Sequence, residues 1–132
     1  MTNQTNIKRI HILVKSSYNH ATKTGQYKLY DMENKLLVKK RNFKNVVSSD
    51  NVIAFLGLCD GLKTIPRSLV YSTNSVAVIW AQNKWCNSKS LDKKLSSSII
   101  AATEYLRCND CSSRIHGRPP RNLTPVIKDS NS

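Results

Sequence analysis

The sequence predicts a single α/β domain built on a mixed sheet. Three β-rich segments follow one another near the N-terminus, the apolar spacing then switches to a helical period, and one more short apolar strand lies between helices. From Lys8 to Val14, KRIHILV is rich in β-branched residues and reads as a strand with Ile10, Ile12 and Val14 on one face and His11, Leu13 and Lys15 on the other. The polar SSYNHATKTG after it reads as a turn. QYKLYDME gives a second strand, and KLLVKKRNFKN, beyond a turn near Asn34, gives a third that returns beside it. Together they make a three-stranded antiparallel meander.

Behind a Ser48-Ser49-Asp50 start signal, Val52, Phe55, Leu56, Cys59 and Leu62 recur at helical spacing and Pro66 closes the stretch, which predicts a helix over about 49–64. RSLVYST is then a short strand, and SVAVIWAQNKW a second helix whose Trp80 and Trp85 should pack on the sheet. Leu91, Leu95, Ile99, Ala102 and Leu106 trace one stripe of a third helix ending near Cys108. The predicted order is βββαβαα, with a four-stranded or five-stranded sheet and flanking helices. Past Cys108 the composition turns to Arg, Pro, Ser and Asn, so residues 1–108 are expected to form the domain and 109–132 an extended basic tail with room for a short edge strand.

At 132 residues and 39% apolar content the chain can build one core of modest size. Its formal charge of +13 favours polyanionic partners, and residues 1–48, with ten basic and two acidic residues, carry +8 of it. Apolar runs such as Ile12 to Val14 and Val76 to Trp80 are far too short to cross a membrane, so no membrane association is expected. The polar start MTNQTNIKR leads into no apolar segment, so an intracellular setting is expected, cytoplasmic or in a nucleoid or nucleus, with the Asn3 and Asn122 sequons unused. A Gly-rich phosphate loop, a G-x-S-x-G elbow and an HExxH pair are all missing, which excludes the common nucleotide-dependent, serine-hydrolase and zinc-peptidase classes.

Three segments carry a resemblance. VKSS (Val14 to Ser17) stands where a TDGS motif would end a first strand, SDNVIAFLGLCDGLK (49–63) is similar to a helix written TNNRMELxALxxGLK, and VYSTNSVAVIW (70–80) is similar to YSDSxxAIxW. In this order and spacing they resemble the ribonuclease H-like family over about residues 8–85. The resemblance implies that family's α/β fold, a mixed sheet with a three-stranded antiparallel meander and flanking helices. It also implies a site where one carboxylate from each segment holds a pair of divalent ions for phosphodiester hydrolysis. This chain has Lys15, Ala54 and Thr73 at the matching positions, so it resembles a degenerate member. A lysine about 4 Å from an ion opposes each unit of its charge by roughly 4 kcal/mol at an effective dielectric near 20. The expectation is therefore no enzyme, no catalytic residues and no metal at that site. HGRPPRN (His116 to Asn122) is similar to the family's HxGxxxN loop and would place a fourth carboxylate at Val126.

What remains is a basic domain expected to bind RNA, DNA or a hybrid. Lys15 would contact a phosphate at the strand end. Lys28, Lys39, Lys40, Arg41 and Lys44 form a basic meander interleaved with Tyr27, Tyr30 and Phe43 as stacking rings, and Arg114, Arg118 and Arg121 add charge from the tail. Basic edge strands also simply discourage edge-to-edge pairing. Cys108, Cys111 and His116 have the C-x2-C-x4-H spacing of three zinc ligands, with Cys86 as a fourth, against the alternative of free thiols and no cofactor. His11 and His20 have no acid or nucleophile at a suggestive spacing and are expected in solvent or in packing. Two further readings stay open: a structural or protein-interaction module of a ribonucleoprotein, virion, mobile element or homo-oligomer, and a metal-dependent nuclease.

Overall fold

The computed structural model describes residues 9–87 and 93–119. The elements run β1 (His11–Asn19), β2 (Thr24–Asp31), β3 (Leu36–Lys44), α1 (Asp50–Thr64), β4 (Leu69–Ser72), α2 (Ser75–Gln82), α3 (Lys93–Cys108) and β5 (Ile115–His116), with one 3₁₀ turn over Ser112–Arg114. Leu91, Arg121 and Val126, and the two sequons, lie outside the described residues. The sheet order is β3-β2-β1-β4-β5. The first three strands are antiparallel neighbours, β4 runs parallel to β1, and β5 runs parallel to β4. This is the ribonuclease H-like arrangement that the resemblance implies, with five strands rather than four.

β1 is longer than the expected segment, and SSYN belongs to it. Ser16, Ser17, Tyr18 and Asn19 pair with Tyr27, Gln26, Gly25 and Thr24, so the ladder satisfies their backbone groups despite weak β-propensity. The turn shrinks to residues 20–23, where the Asn19 side chain accepts from the amides of Ala21 and Thr22 at 2.9 and 3.2 Å.

The faces alternate as the sequence predicts: Ile12 and Val14 are buried in the main core, and Lys15 is exposed on the other face. Every buried side chain of the three helices belongs to that same main core. On the opposite face Leu13, Met32 and Tyr71 form a second, smaller buried cluster that includes no helix residue. α1 is capped by Ser49, whose Oγ accepts from the Val52 amide at 3.3 Å, and it lies close against the sheet because two of its residues lack side chains. A Cβ on Gly57 would stand 2.6 Å from Val14 Cγ1 and 3.1 Å from Tyr27 Cγ, and one on Gly61 3.1 Å from Val70 Cγ1.

Two expectations need correction. Trp80 is partly buried against Phe55, with ring centroids 6.3 Å apart, but Trp85 is 53% exposed because α2 ends at Gln82 and leaves it off the packed face. The ordered sheet also continues past the expected boundary at Cys108: Ile115 is buried and pairs with Val70, so β5 is the short edge strand for which the tail left room. Arg114 anchors this return. Its Nε donates to Ser68 O at 2.7 Å and its Nη2 to Leu62 O and Ile65 O at 3.0 and 3.2 Å, satisfying carbonyls around the end of α1. No described helix is long and apolar enough to cross a membrane.

Because Gly57 marks the closest approach of α1 to the sheet, Gly57→Ala should destabilise the fold by about 1–3 kcal/mol through overpacking against Val14. Urea unfolding followed by circular dichroism measures this, and an unchanged midpoint would mean that α1 lies farther from β1 than described.

Candidate functional site

The three positions matched to the family's carboxylates do not form one cluster. Lys15 and Thr73 line a cleft of about 620 Å³ where β4 ends beside the middle of β1, together with Ser16, Asp50, Asn51 and Asn74. Ala54 is fully buried in the main core and does not line the cleft. The Lys15 side chain belongs to the opposite face, with Nζ 6.0 Å from the Tyr30 ring centroid. The acid that reaches the cleft is Asp50, one helical turn ahead of Ala54. Its Oδ2 accepts from Asn74 Nδ2 at 2.9 Å, while its buried Oδ1 has no partner. Asn74 also donates to Asn51 Oδ1 at 3.0 Å and caps α2 by accepting from the Ala77 amide. Among the described residues no group of three or more His, Cys, Asp or Glu is placed to hold a metal ion, so the residues present do not fit a two-ion centre.

The structure divides the basic meander between two faces. Cross-strand pairing sets Lys15 opposite Lys28, and Lys28 opposite Lys40, on the face that, among the described residues, carries no helix. Three lysines thus stand side by side on three adjacent strands, with opposed Cβ atoms about 4.5–5.5 Å apart. The strands contain one acidic residue, Asp31, and its carboxylate accepts from the Glu33 and Asn34 amides and the Asn34 side chain in the β2–β3 turn. No strand carboxylate therefore balances the row. Lys44, at the end of β3, lines a cleft of about 750 Å³ with Ser17, His20, Gln26 and Asn42, where Gln26 donates to Asn42 at 2.7 Å.

Lys39 and Arg41 point the other way, toward α1 and α3. Lys39 Nζ donates to Asp60 Oδ1 at 2.8 Å, and Tyr27 donates its hydroxyl to Asp60 Oδ2. Thr64 adds a bond to Oδ1 at 3.0 Å. Arg41 lies over the Phe43 ring, 4.6 Å from its centroid, and donates to Ser98 on α3 at 3.2 Å. Burial alone would raise the Asp60 carboxyl, but the hydrogen bonds from Lys39 and Tyr27, the Lys39 charge and Thr64 outweigh it and hold its pKa below the ordinary value. Burial, then the bond to Asp60, push the Tyr27 hydroxyl well above its usual range. Tyr27 and Phe43 are core residues packed ring to ring with centroids 5.9 Å apart, so of the three expected stacking rings the half-exposed Tyr30 alone is on the helix-free face.

The remaining expected residues are scattered. Arg114 is turned inward onto carbonyls, as described above, and Arg118 is exposed beyond β5. Cys86 and Cys111 are buried, Cys108 is exposed, and the His116 ring packs on Tyr71 with centroids 5.3 Å apart; among the described residues no three of the expected zinc set are placed to hold one ion. His11 has the packing role expected for it: its Nδ1 is hydrogen-bonded to the Tyr71 hydroxyl at 2.8 Å.

No protein-family model and no curated protein matches the chain. Among solved structures it is similar to a ribonuclease H1 from the halophilic archaeon Halobacterium salinarum NRC-1, with 9% identity over 87% of this chain and 88% of that one and a TM-score of 0.49. It is also similar to the N-terminal RNase H domain of a Mycobacterium tuberculosis protein, solved as a fusion with maltose-binding protein, with 13% identity over 86% and 84% of the two chains and a TM-score of 0.46. The fold assignment here rests on strand order and register. The expectation that the chain is not an enzyme is corrected, because it assumed one site shared by Lys15 and Ala54, which lie on opposite faces of the sheet.

The Asp60 network gives a signed pH prediction. A carboxyl whose pKa is depressed by folding adds stability that is present above its unfolded value, near 3.9, and lost as pH falls through the folded value. Asp60→Asn should lower stability at pH 7 by about 1–3 kcal/mol. The gap to the wild-type chain should narrow progressively as pH falls below the unfolded value, near 3.9. A gap that stays constant as pH falls in urea titrations would contradict the ion pair's role.

Proposed function

We propose that this ribonuclease H-like domain binds nucleic acid through the helix-free face of its sheet, in an intracellular setting. The observation that carries the reading is the in-register row Lys15, Lys28 and Lys40. Like charges directly opposite each other across strands are destabilising, and no strand carboxylate offsets these three. A polyanion laid across the row would turn that repulsion into binding energy and release the counterions condensed on its phosphates. The overall charge of +13 adds long-range attraction to the same class of partner. Lys44 at one end of the face extends the positive track, and Arg118, beyond β5, supplies charge past the opposite edge of the sheet.

A second reading, a protein-interaction module, has one observation behind it. Edge strand β3 exposes Leu36, Leu37 and Val38 in succession, at 61%, 49% and 38%. The register shift between Leu29 and Tyr30 leaves Val38 out of the ladder, and such a bulge interrupts a continuous pairing edge. Size-exclusion chromatography with light scattering separates the two: a dimer that shows no nucleic-acid shift favours the edge.

Fluorescence anisotropy with a labelled oligonucleotide over a salt series tests the main reading. The triple variant Lys15→Gln, Lys28→Gln, Lys40→Gln should weaken binding by about tenfold or more near 0.1 M salt and flatten the slope of log K against log salt by about 2–3. A variant that keeps the wild-type affinity and slope would place the binding surface elsewhere.

A further inference from the structure

The rows flanking the lysines indicate which form of nucleic acid this face takes. One side-chain repeat along the strands, roughly 7 Å from the lysine row, pairing aligns Leu37, Tyr30, Leu13, Tyr71 and His116 across all five strands. Tyr71 and Leu13 are buried and form the floor of this row. The rings above and beside them are half-exposed: Tyr30 on β2, with Lys15 over its face, and His11 and His116, each packed on Tyr71 at centroid separations of 5.7 and 5.3 Å. On the other side of the lysines, Ser17, Gln26 and Asn42 make a row of neutral donors and acceptors along the cleft of about 750 Å³.

Resting on the binding reading above, we infer that the ligand of this face is a single strand, its phosphates on Lys15, Lys28 and Lys40 and an unstacked base on the Tyr30 ring. The three rows offer a single strand what it exposes and a duplex does not. In a duplex the base faces are occupied by their neighbours, so a ring row beside the phosphate contacts has nothing to stack on. In a single strand every base offers a π-face, and stacking tolerates any sequence. The amide row is placed to meet base edges, which are free only in the unpaired strand. Tyr30 and His116 stand three strand spacings apart, about 14 Å, so they would engage different bases of one strand running across the sheet.

The test compares a labelled mixed-sequence 12-mer, as RNA and as DNA, with a blunt duplex of the same sequence, by anisotropy with the whole chain at one salt concentration. The single strands should bind at least tenfold more tightly than the duplex. Tyr30→Leu, which keeps apolar volume but removes the ring, should weaken single-strand binding by fivefold or more and leave duplex binding unchanged, while Tyr30→Phe should bind like the wild-type chain. Duplex binding equal to or tighter than single-strand binding would overturn the inference and leave the binding reading standing. So would a Tyr30→Leu loss shared equally by both ligands. If neither ligand binds at low salt, the binding reading itself fails.

Discussion

The close approach of α1 to the sheet at Gly57 and Gly61 is the contact on which the rest of the structure depends. With no Cβ at these positions the helix settles onto Val14, Tyr27 and Val70, and α2 and α3 then pack around it on the same side. Apolar burial is thereby concentrated on one face, where Ile53, Phe55, Leu58 and Leu62 are completely enclosed. Among the described residues the other face keeps only the small cluster of Leu13, Met32 and Tyr71, and its polar and basic residues are not held by helix packing. Helix placement on one side and lysine display on the other follow from the same geometry.

That asymmetry sorts the positive charge by role. Lys39 and Arg41 are adjacent in sequence to members of the lysine row, yet they turn toward the helices and are spent on Asp60, Phe43 and Ser98. Arg114 is drawn into the end of α1. Lys15, Lys28 and Lys40 make none of these contacts, because the period-two alternation of a strand puts them on the side where no helix offers a partner. A run of basic residues on a strand is thus two surfaces interleaved, one turned toward the helices and one away from them.

Much of the fold was legible in the sequence. The β-branched alternation of Ile10, Ile12 and Val14 and the helical spacing of Val52, Phe55, Leu56, Cys59 and Leu62 report burial directly, and both match the structure. The extension of β1 through Asn19 was not legible, because it is imposed by pairing with β2 against local propensity. For β5 the sequence left only room for a short edge strand, because its two residues are held by Arg114 and by Gln82, which donates to Ile115 O from the end of α2, both long-range contacts that leave no periodic trace. The candidate site was half legible. Individual lysines could be named, but their division between faces depends on strand register, and so does the finding that Lys15 and Ala54 lie on opposite sides of the sheet. The cluster of Tyr27, Asp60 and Lys39 left only a faint signal: an acid on the last turns of an otherwise largely apolar helix.

A polyanion seated on the sheet face away from the helices would reveal itself in amide chemical-shift mapping during titration with a short oligonucleotide. Shifts should be concentrated at Lys15, Lys28, Tyr30, Lys40 and their cross-strand neighbours, with α1 and α3 nearly still. Shifts confined to the Asp50, Asn51 and Thr73 cleft, or to the helices, would contradict that placement.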